Sequence, residues 1–214
     1  ASHGYIVVVQ DCRGRYTSDG VWSFDEGPDT YDSIEWAAAL PGCTGAVGMF
    51  GQSYGALVQY LVAPLQPPHL TTCIPIAGPV PGLPRHPFVE LSWDLAYSIA
   101  MAEETFTKAG RGDEYEALRN ELIDRTEVRF ASPRLELLQG LPLTAWHDRH
   151  PEIAARLTSR IEGANQPIDP ADPTDAFARI TVPILHIGSW YDNNQWMTTT
   201  TYQGMRDHAG TELA

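Results

Sequence analysis

The chain has 214 residues, 27 acidic against 14 basic for a net charge of −13, with 43% hydrophobic and 19% charged residues. This is globular composition, enough for one large domain or a core with an insertion. The acidic excess is spread along the chain, which argues against a nucleic-acid surface, and no run approaches the ~18 apolar residues of a membrane span.

Cys12, Cys43 and Cys73 form no C-x-x-C and leave an odd count, so a disulfide framework is not expected and a reduced, cytoplasmic compartment is. In chain order, Tyr5-Ile6-Val7-Val8-Val9 is a continuous apolar run, the pattern of a strand buried on both faces. Asp29 to Leu40 carries Tyr31, Ile34 and Ala38 at helical spacing, and Pro41-Gly42 stops it. The acidic residues Asp25, Glu26 and Asp29 could bind a cation but read more simply as charge at that helix's N-terminus. Ala46 to Phe50 reads as a short strand. Leu57, Val58, Leu61 and Val62 then recur at helical spacing until Pro64, and Thr72 to Ile76 reads as another strand. The βαβαβ order implies a parallel sheet, so residues 1–79 read as the first part of an α/β core.

Residues 80–178 change character. Pro79, Pro81, Pro84 and Pro87 open the region. Phe88, Leu91, Leu95, Ile99, Ala102 and Phe106 then recur at steps of three and four, a strongly amphipathic helix. Tyr115, Leu118 and Leu122 suggest a second helix and Ile153, Leu157 and Ile161 a third. The region reads as an all-helical cap closed by the loop Pro167 to Pro173. Residues 179–214 return to the core. Val182 to Gly188 is a strand with Pro183 near its start, Ser189 to Asn193 a turn, and Gln195 to His208 a helix, although Thr198 to Thr201 disfavour it locally.

The chemistry centres on Gly51-Gln52-Ser53-Tyr54-Gly55, a G-x-S-x-G between a predicted strand and a predicted helix, which is the setting of a nucleophile elbow. A serine hydroxyl needs a base, a group that orients the base, and donors for the oxyanion. The Tyr54 backbone N–H follows the serine and fits one donor. Asp192 lies just past the Val182–Gly188 strand, at the sheet edge where catalytic groups gather, and reads either as the orienting acid or as a turn-forming residue beside Asn193. Among the seven histidines only His208 follows Asp192, and it ends a predicted helix. His186 lies inside a strand and reads as a core residue. His147 and His150 are three apart without a third ligand, so neither a metal site nor a cofactor is expected.

The segment Val8-Val9-Gln10-Asp11-Cys12-Arg13-Gly14-Arg15-Tyr16-x-Ser18-x-Gly20 resembles the Asp-x-Arg-Gly-x-x-x-Ser-x-Gly signature of the X-prolyl dipeptidyl-peptidase-like, cocaine esterase-like serine hydrolases. Asp32-x-x-x-Trp36, Cys43-x-Gly45-x-Val47-Gly48-Met49-x-Gly51-x-Ser53-Tyr54 and Gly188-x-Trp190-Tyr191-Asp192 match in the same order. The resemblance implies an α/β-hydrolase core with a helical cap, Ser53 as nucleophile and Asp192 as triad acid. It also implies N-terminal strands with a second oxyanion donor, a triad histidine after a further strand, and a C-terminal jelly roll, none of which this chain carries. The chain is therefore expected to be a piece of such a protein, inactive by itself.

The implied substrate is a small ester or amide. In the α-amino acid ester hydrolases of this group, carboxylates two and three positions after the triad acid bind the substrate ammonium. Here those positions are the neutral Asn194 and Gln195, which favours a plain carboxylesterase or amidase over a peptidase. A non-catalytic binding protein on the same fold is the remaining alternative. Phe88, Trp93, Trp190 and Asn194 are the pocket candidates, with core packing the competing role for the aromatics. Arg13 and Asp11 read as loop braces, Arg13 through a buried carboxylate pair or by capping loop carbonyls. A sheet lacking its first strands exposes unpaired edges, so the isolated chain is expected to form homo-oligomers or to self-associate. A monodisperse monomer in sedimentation would contradict this.

Overall fold

The computed structural model describes residues 3–20, 26–80, 103–104, 106–124, 132–133, 173–192 and 194–208. The chain divides into two units, Ala1–Leu83 with Pro170–Ala214, and Pro84–Asp169.

In the first unit, helix α1 (Gly27–Ala38) starts with Pro28 in its first turn, where a missing N–H costs nothing, and it buries Ile34. Strand β1 (Val47–Gln52) pairs in parallel with β2 (Leu70–Ile76), Phe50 opposite Ile74 and Gln52 opposite Ile76. Helix α2 (Tyr54–Val62) makes the crossover between them and ends in the 3₁₀ turn Ala63–Leu65, closed by left-handed Gln66. The 182–188 segment lies along the other edge of β2, bridged in parallel at Cys73–Ile184 and Ile76–Ile187. Cys73 N–H donates to the Pro183 carbonyl (3.2 Å), Leu185 N–H to Cys73 (3.0 Å), Ile187 N–H to Pro75 (3.1 Å) and Ala77 N–H to Ile187 (2.8 Å). The segment predicted as a strand over Val182 to Gly188 is thus paired. Helices α3 (Pro173–Arg179) and α4 (Gln195–His208) complete the unit. Ile34, Tyr60, Leu70, Cys73, Ile180, Met197 and Met205 form its core.

Residues Tyr5 to Val9 and the buried face of α2 differ from the sequence reading. Residues Tyr5 to Val9 join no ladder and stand exposed, Val9 at 90% and Tyr5 at 75%. A strand buried on both faces needs neighbours, and no described segment covers this one. Helix α2 buries Ala56, Gln59, Tyr60 and Val62, leaving Leu57, Val58 and Leu61 half-covered. The close approach of helix and strand at the Ser53 turn selects that face, so Gln59 is wholly buried, its amide donating to the Gly55 carbonyl at 2.8 Å. The threonine run in α4 is tolerated because its hydroxyls turn inward along the helix. Thr201 Oγ1 donates to the Met197 carbonyl (2.8 Å) and Thr199 Oγ1 to that of Trp196 (3.0 Å).

In the second unit, a helix over Gly112–Leu122 carries Asp113 and Glu114 in its first turn and buries Tyr115 and Leu118. Phe106 packs 6.1 Å from the Tyr115 ring, with the Arg111 guanidinium 4.5 Å above the Phe106 face. Ile123–Asp124 pairs antiparallel with Ser132–Pro133, a two-residue ladder that the helical periodicity does not announce. The predicted helices around Phe88–Ile99 and Ile153–Ile161, and His147 and His150, lie outside the described residues. Among those described, no helix is long and apolar enough to cross a membrane.

His186 is half-buried beside the core of the first unit. Its Nδ1 meets the Tyr60 hydroxyl at 3.0 Å, its ring stacks on Tyr60 and meets Tyr202 edge-on, and burial pushes its pKa down from 6.5 to about 4. The unfolded chain therefore binds a proton between these values that the fold does not. The resulting stability is complete above pH 6.5 and is lost as pH falls towards 4, up to about 3 kcal/mol in all. Urea unfolding at pH 7 and pH 4.5 is expected to show this loss and His186→Asn to remove most of it. Equal acid sensitivity in the variant would contradict the assignment.

Candidate active site

The site is built where three parallel segments end on one edge of the sheet. Ser53 follows β1 directly, with φ 55° and ψ −112°. For a residue with a Cβ this is a strained conformation, costing on the order of 1–3 kcal/mol, and such positions gather at functional sites. Two constraints impose it. The Ser53 N–H donates to the Ile76 carbonyl at 2.9 Å, extending the β1–β2 pairing one residue past the strand. The Ser53 carbonyl accepts from the N–H groups of Ala56 and Leu57, both at 3.0 Å, and so starts α2. One residue must therefore end a strand and begin a helix.

Glycines make room for that turn. A Cβ on Gly51 would lie 2.9 Å from the Gly55 carbonyl, so strand and helix pass backbone to backbone. A Cβ on Gly78, just past β2, would collide with the Ala56 Cβ. The Ser53 side chain is exposed on this turn, and among the described residues its hydroxyl has no hydrogen-bond partner. Tyr54 is the first residue of α2, so its backbone N–H belongs to the N-terminal turn beside the serine.

Asp192 lies four residues beyond the 182–188 segment, on the edge of the sheet where Ser53 also lies. It is half-buried in a tight turn. Its N–H donates to the Ser189 carbonyl (3.0 Å), its own carbonyl accepts from Gln195 N–H (3.1 Å), and its Oδ1 accepts from Asn194 N–H at 2.6 Å. The carboxylate thus engages one oxygen in the turn. No hydrogen bond to Oδ2 is formed among the described residues.

The remaining predicted residues are distributed unevenly. The Asn194 side-chain amide donates to the Ala77 carbonyl at 3.2 Å. Trp190 stands 84% exposed. Phe88 and Trp93 lie outside the described residues. His186 is bonded to Tyr60, His69 Nδ1 pairs with Glu35 at 2.7 Å, and His208 ends α4.

Two supports went unread in the sequence. Glu26, which reads as helix-terminal charge, is 4% exposed and accepts from the Tyr54 hydroxyl at 2.8 Å. Burial pushes the nearby Cys12 thiol up to about 11, with the Glu26 carboxylate adding to the rise. The second support is the Ile76-Ala77-Gly78 turn, where Ala77 has φ 46°. An Ala-Gly pair directly after a strand was the available signal.

The loop of residues 11–20 is braced as expected. Thr17 Oγ1 donates to Asp11 Oδ2 (3.1 Å) and Ser18 Oγ to the Asp11 carbonyl (2.8 Å). Arg13 grips Asp29 with two nitrogens, and that bond holds the Asp29 carboxyl below its ordinary range. Arg13 is 58% exposed, so the pair sits on the surface rather than buried as the sequence suggested.

A family model described as X-Pro dipeptidyl-peptidase (S15 family) matches residues 1–214, and the chain belongs to that family. The chain is 42% identical over 62 residues to cocaine esterase of Rhodococcus sp. (strain MB1 Bresler), a match that covers 28% of this chain and 11% of that protein. Similar solved structures include a CocE/NonD family hydrolase from Staphylococcus aureus, with TM-score 0.44 and 23% identity over 94% of this chain and 30% of the other. An alpha/beta hydrolase from Sphaerobacter thermophilus gives TM-score 0.42 and 20% identity over 94% of this chain and 69% of its own. The chain thus spans under a third of the staphylococcal hydrolase's length.

The backbone strain at Ser53 has a measurable consequence. Ser53→Gly, which admits positive φ freely, is expected to be more stable than Ser53→Ala by about 1 kcal/mol, because Ala keeps the Cβ. Urea midpoints of the two variants check this, and equal midpoints would contradict the strained assignment.

Proposed function

We propose that this member of the X-Pro dipeptidyl-peptidase (S15) family contributes the nucleophile and triad acid of a serine hydrolase acting on carboxylic esters or amides. The observation that carries the reading is the Ser53 turn, with an exposed hydroxyl at φ 55° and ψ −112° between a parallel strand and a helix. This geometry fits a nucleophile elbow. A histidine from outside the described residues takes the hydroxyl proton while Asp192 orients its imidazole. Ser53 Oγ attacks the carbonyl carbon, and the Tyr54 N–H meets the resulting oxyanion, one such donor lowering the barrier by about 3–4 kcal/mol. The imidazolium returns the proton to the leaving oxygen or nitrogen, and water repeats the sequence on the acyl-serine.

The neutral pair Asn194 and Gln195 favours an uncharged acyl group, because neither supplies the carboxylate that an ammonium would need. A second reading, an X-Pro dipeptidyl-peptidase, draws on the family's description. Fluorophosphonate labelling of the full-length protein is expected to modify Ser53 and to fail in Ser53→Ala. An uncharged ester is expected to turn over faster than an X-Pro-p-nitroanilide. Labelling that persists in Ser53→Ala would sink the nucleophile assignment, faster release from the anilide would select the peptidase, and no labelling would favour a binding protein.

A further inference from the structure

We propose that Asn194 is a positioning residue that holds the Asp192 carboxylate in register with Ser53, an inference that rests on the serine-hydrolase reading above. Asn194 makes two bonds with different reach. Its backbone N–H donates to Asp192 Oδ1 at 2.6 Å. Its side-chain amide crosses to the Ala77 carbonyl at 3.2 Å, a residue 117 positions earlier in the chain. Ala77 is itself fixed, since its N–H donates to Ile187 at 2.8 Å while the preceding carbonyl, that of Ile76, receives the Ser53 N–H at 2.9 Å. Two consecutive residues at the end of β2 therefore hold both halves of the site, Ser53 through Ile76 and the Asp192 turn through Ala77.

The side-chain bond matters because an aspartate turn by itself fixes a carboxylate only relative to its own loop. Tethering Asn194 to the sheet fixes the N–H that aims Oδ1, and Oδ1 in turn sets the direction of Oδ2. That second oxygen is the one left for an imidazole N–H. Asn194 also opens α4, its carbonyl accepting from Thr198 N–H at 3.0 Å, so the tether is held from the helix side as well. The position needs a donor of this length. Aspartate would oppose a carboxylate to the Ala77 carbonyl, and alanine would leave that carbonyl unpaired. The Asn194 amide thus engages the sheet end.

The test compares wild type, Asn194→Ala and Asn194→Asp in the full-length protein, with folding checked by thermal melting. The Asp variant keeps the side chain's size should the Ala variant fail to fold. Both are expected to lose roughly ten- to hundredfold in kcat on acetyl and butyryl p-nitrophenyl esters while KM changes little. In Asn194→Ala the acid limb of the kcat/KM profile should move to lower pH, because an imidazole with a misdirected carboxylate is easier to deprotonate. Amide exchange in the 189–195 segment, read by mass spectrometry, should accelerate in both variants whether or not the protein turns over ester. A KM change that depends on acyl length, with kcat and the acid limb unmoved, would overturn the proposal in favour of a pocket role. Lower melting temperature with intact kinetics and exchange would overturn it too. A wild type inert to fluorophosphonate would instead fail the hydrolase reading, and the exchange arm would still decide whether the tether exists.

Discussion

The site depends on one hydrogen bond, from the Ser53 N–H to the Ile76 carbonyl. It extends the parallel pairing of β1 and β2 by one residue, and it does so while the Ser53 carbonyl is already the first acceptor of α2. A residue that closes a strand and opens a helix without an intervening loop has no relaxed conformation available, so Ser53 takes φ 55° and ψ −112°. The cost is offset by what the sharp turn permits. Gly51 and Gly55 pass backbone to backbone, and α2 lies against the sheet with Ala56, Gln59 and Val62 fully covered. The exposed serine is a consequence of this packing rather than an addition to it.

The same sheet end organises the rest. β2 lies between β1 and the 182–188 segment, so the Ile76–Ala77 step is the natural place for the two outer segments to be joined. Asp192 is then a turn residue and a candidate triad acid together. Its Oδ1 is engaged by Asn194 N–H, so the two roles ask for different oxygens and do not compete. Behind the serine, the buried Glu26 accepts from the Tyr54 hydroxyl, linking the start of α1 to the turn.

Much of this was legible in the sequence, and the parts that were not share physical causes. The strands at Val47–Gln52 and Leu70–Ile76 and the helix Gln195–His208 follow from apolar runs and period, which depend on local residues. The face of α2 did not follow, because Leu57 and Leu61 outrank Gln59 in hydrophobicity while the glycine-level approach at Ser53 decides the orientation. The run Tyr5 to Val9 has the composition of a buried strand but no described partner, and pairing is not a local property. Glu26 reads as surface charge, and the Asn194 tether is invisible, because their partners, Tyr54 and Ala77, lie far away in the chain. The X-Pro dipeptidyl-peptidase resemblance was carried by ordered motifs and agrees with the family match over residues 1–214.

The most direct test of the account is a crystal structure of the full-length protein after reaction with a phosphonate ester. The account predicts phosphorus bonded to Ser53 Oγ, its free oxygen within hydrogen-bond reach of the Tyr54 N–H, and an imidazole between Ser53 and Oδ2 of Asp192. Phosphorus on any other residue, or an Asp192 carboxylate with no imidazole against it, would contradict it.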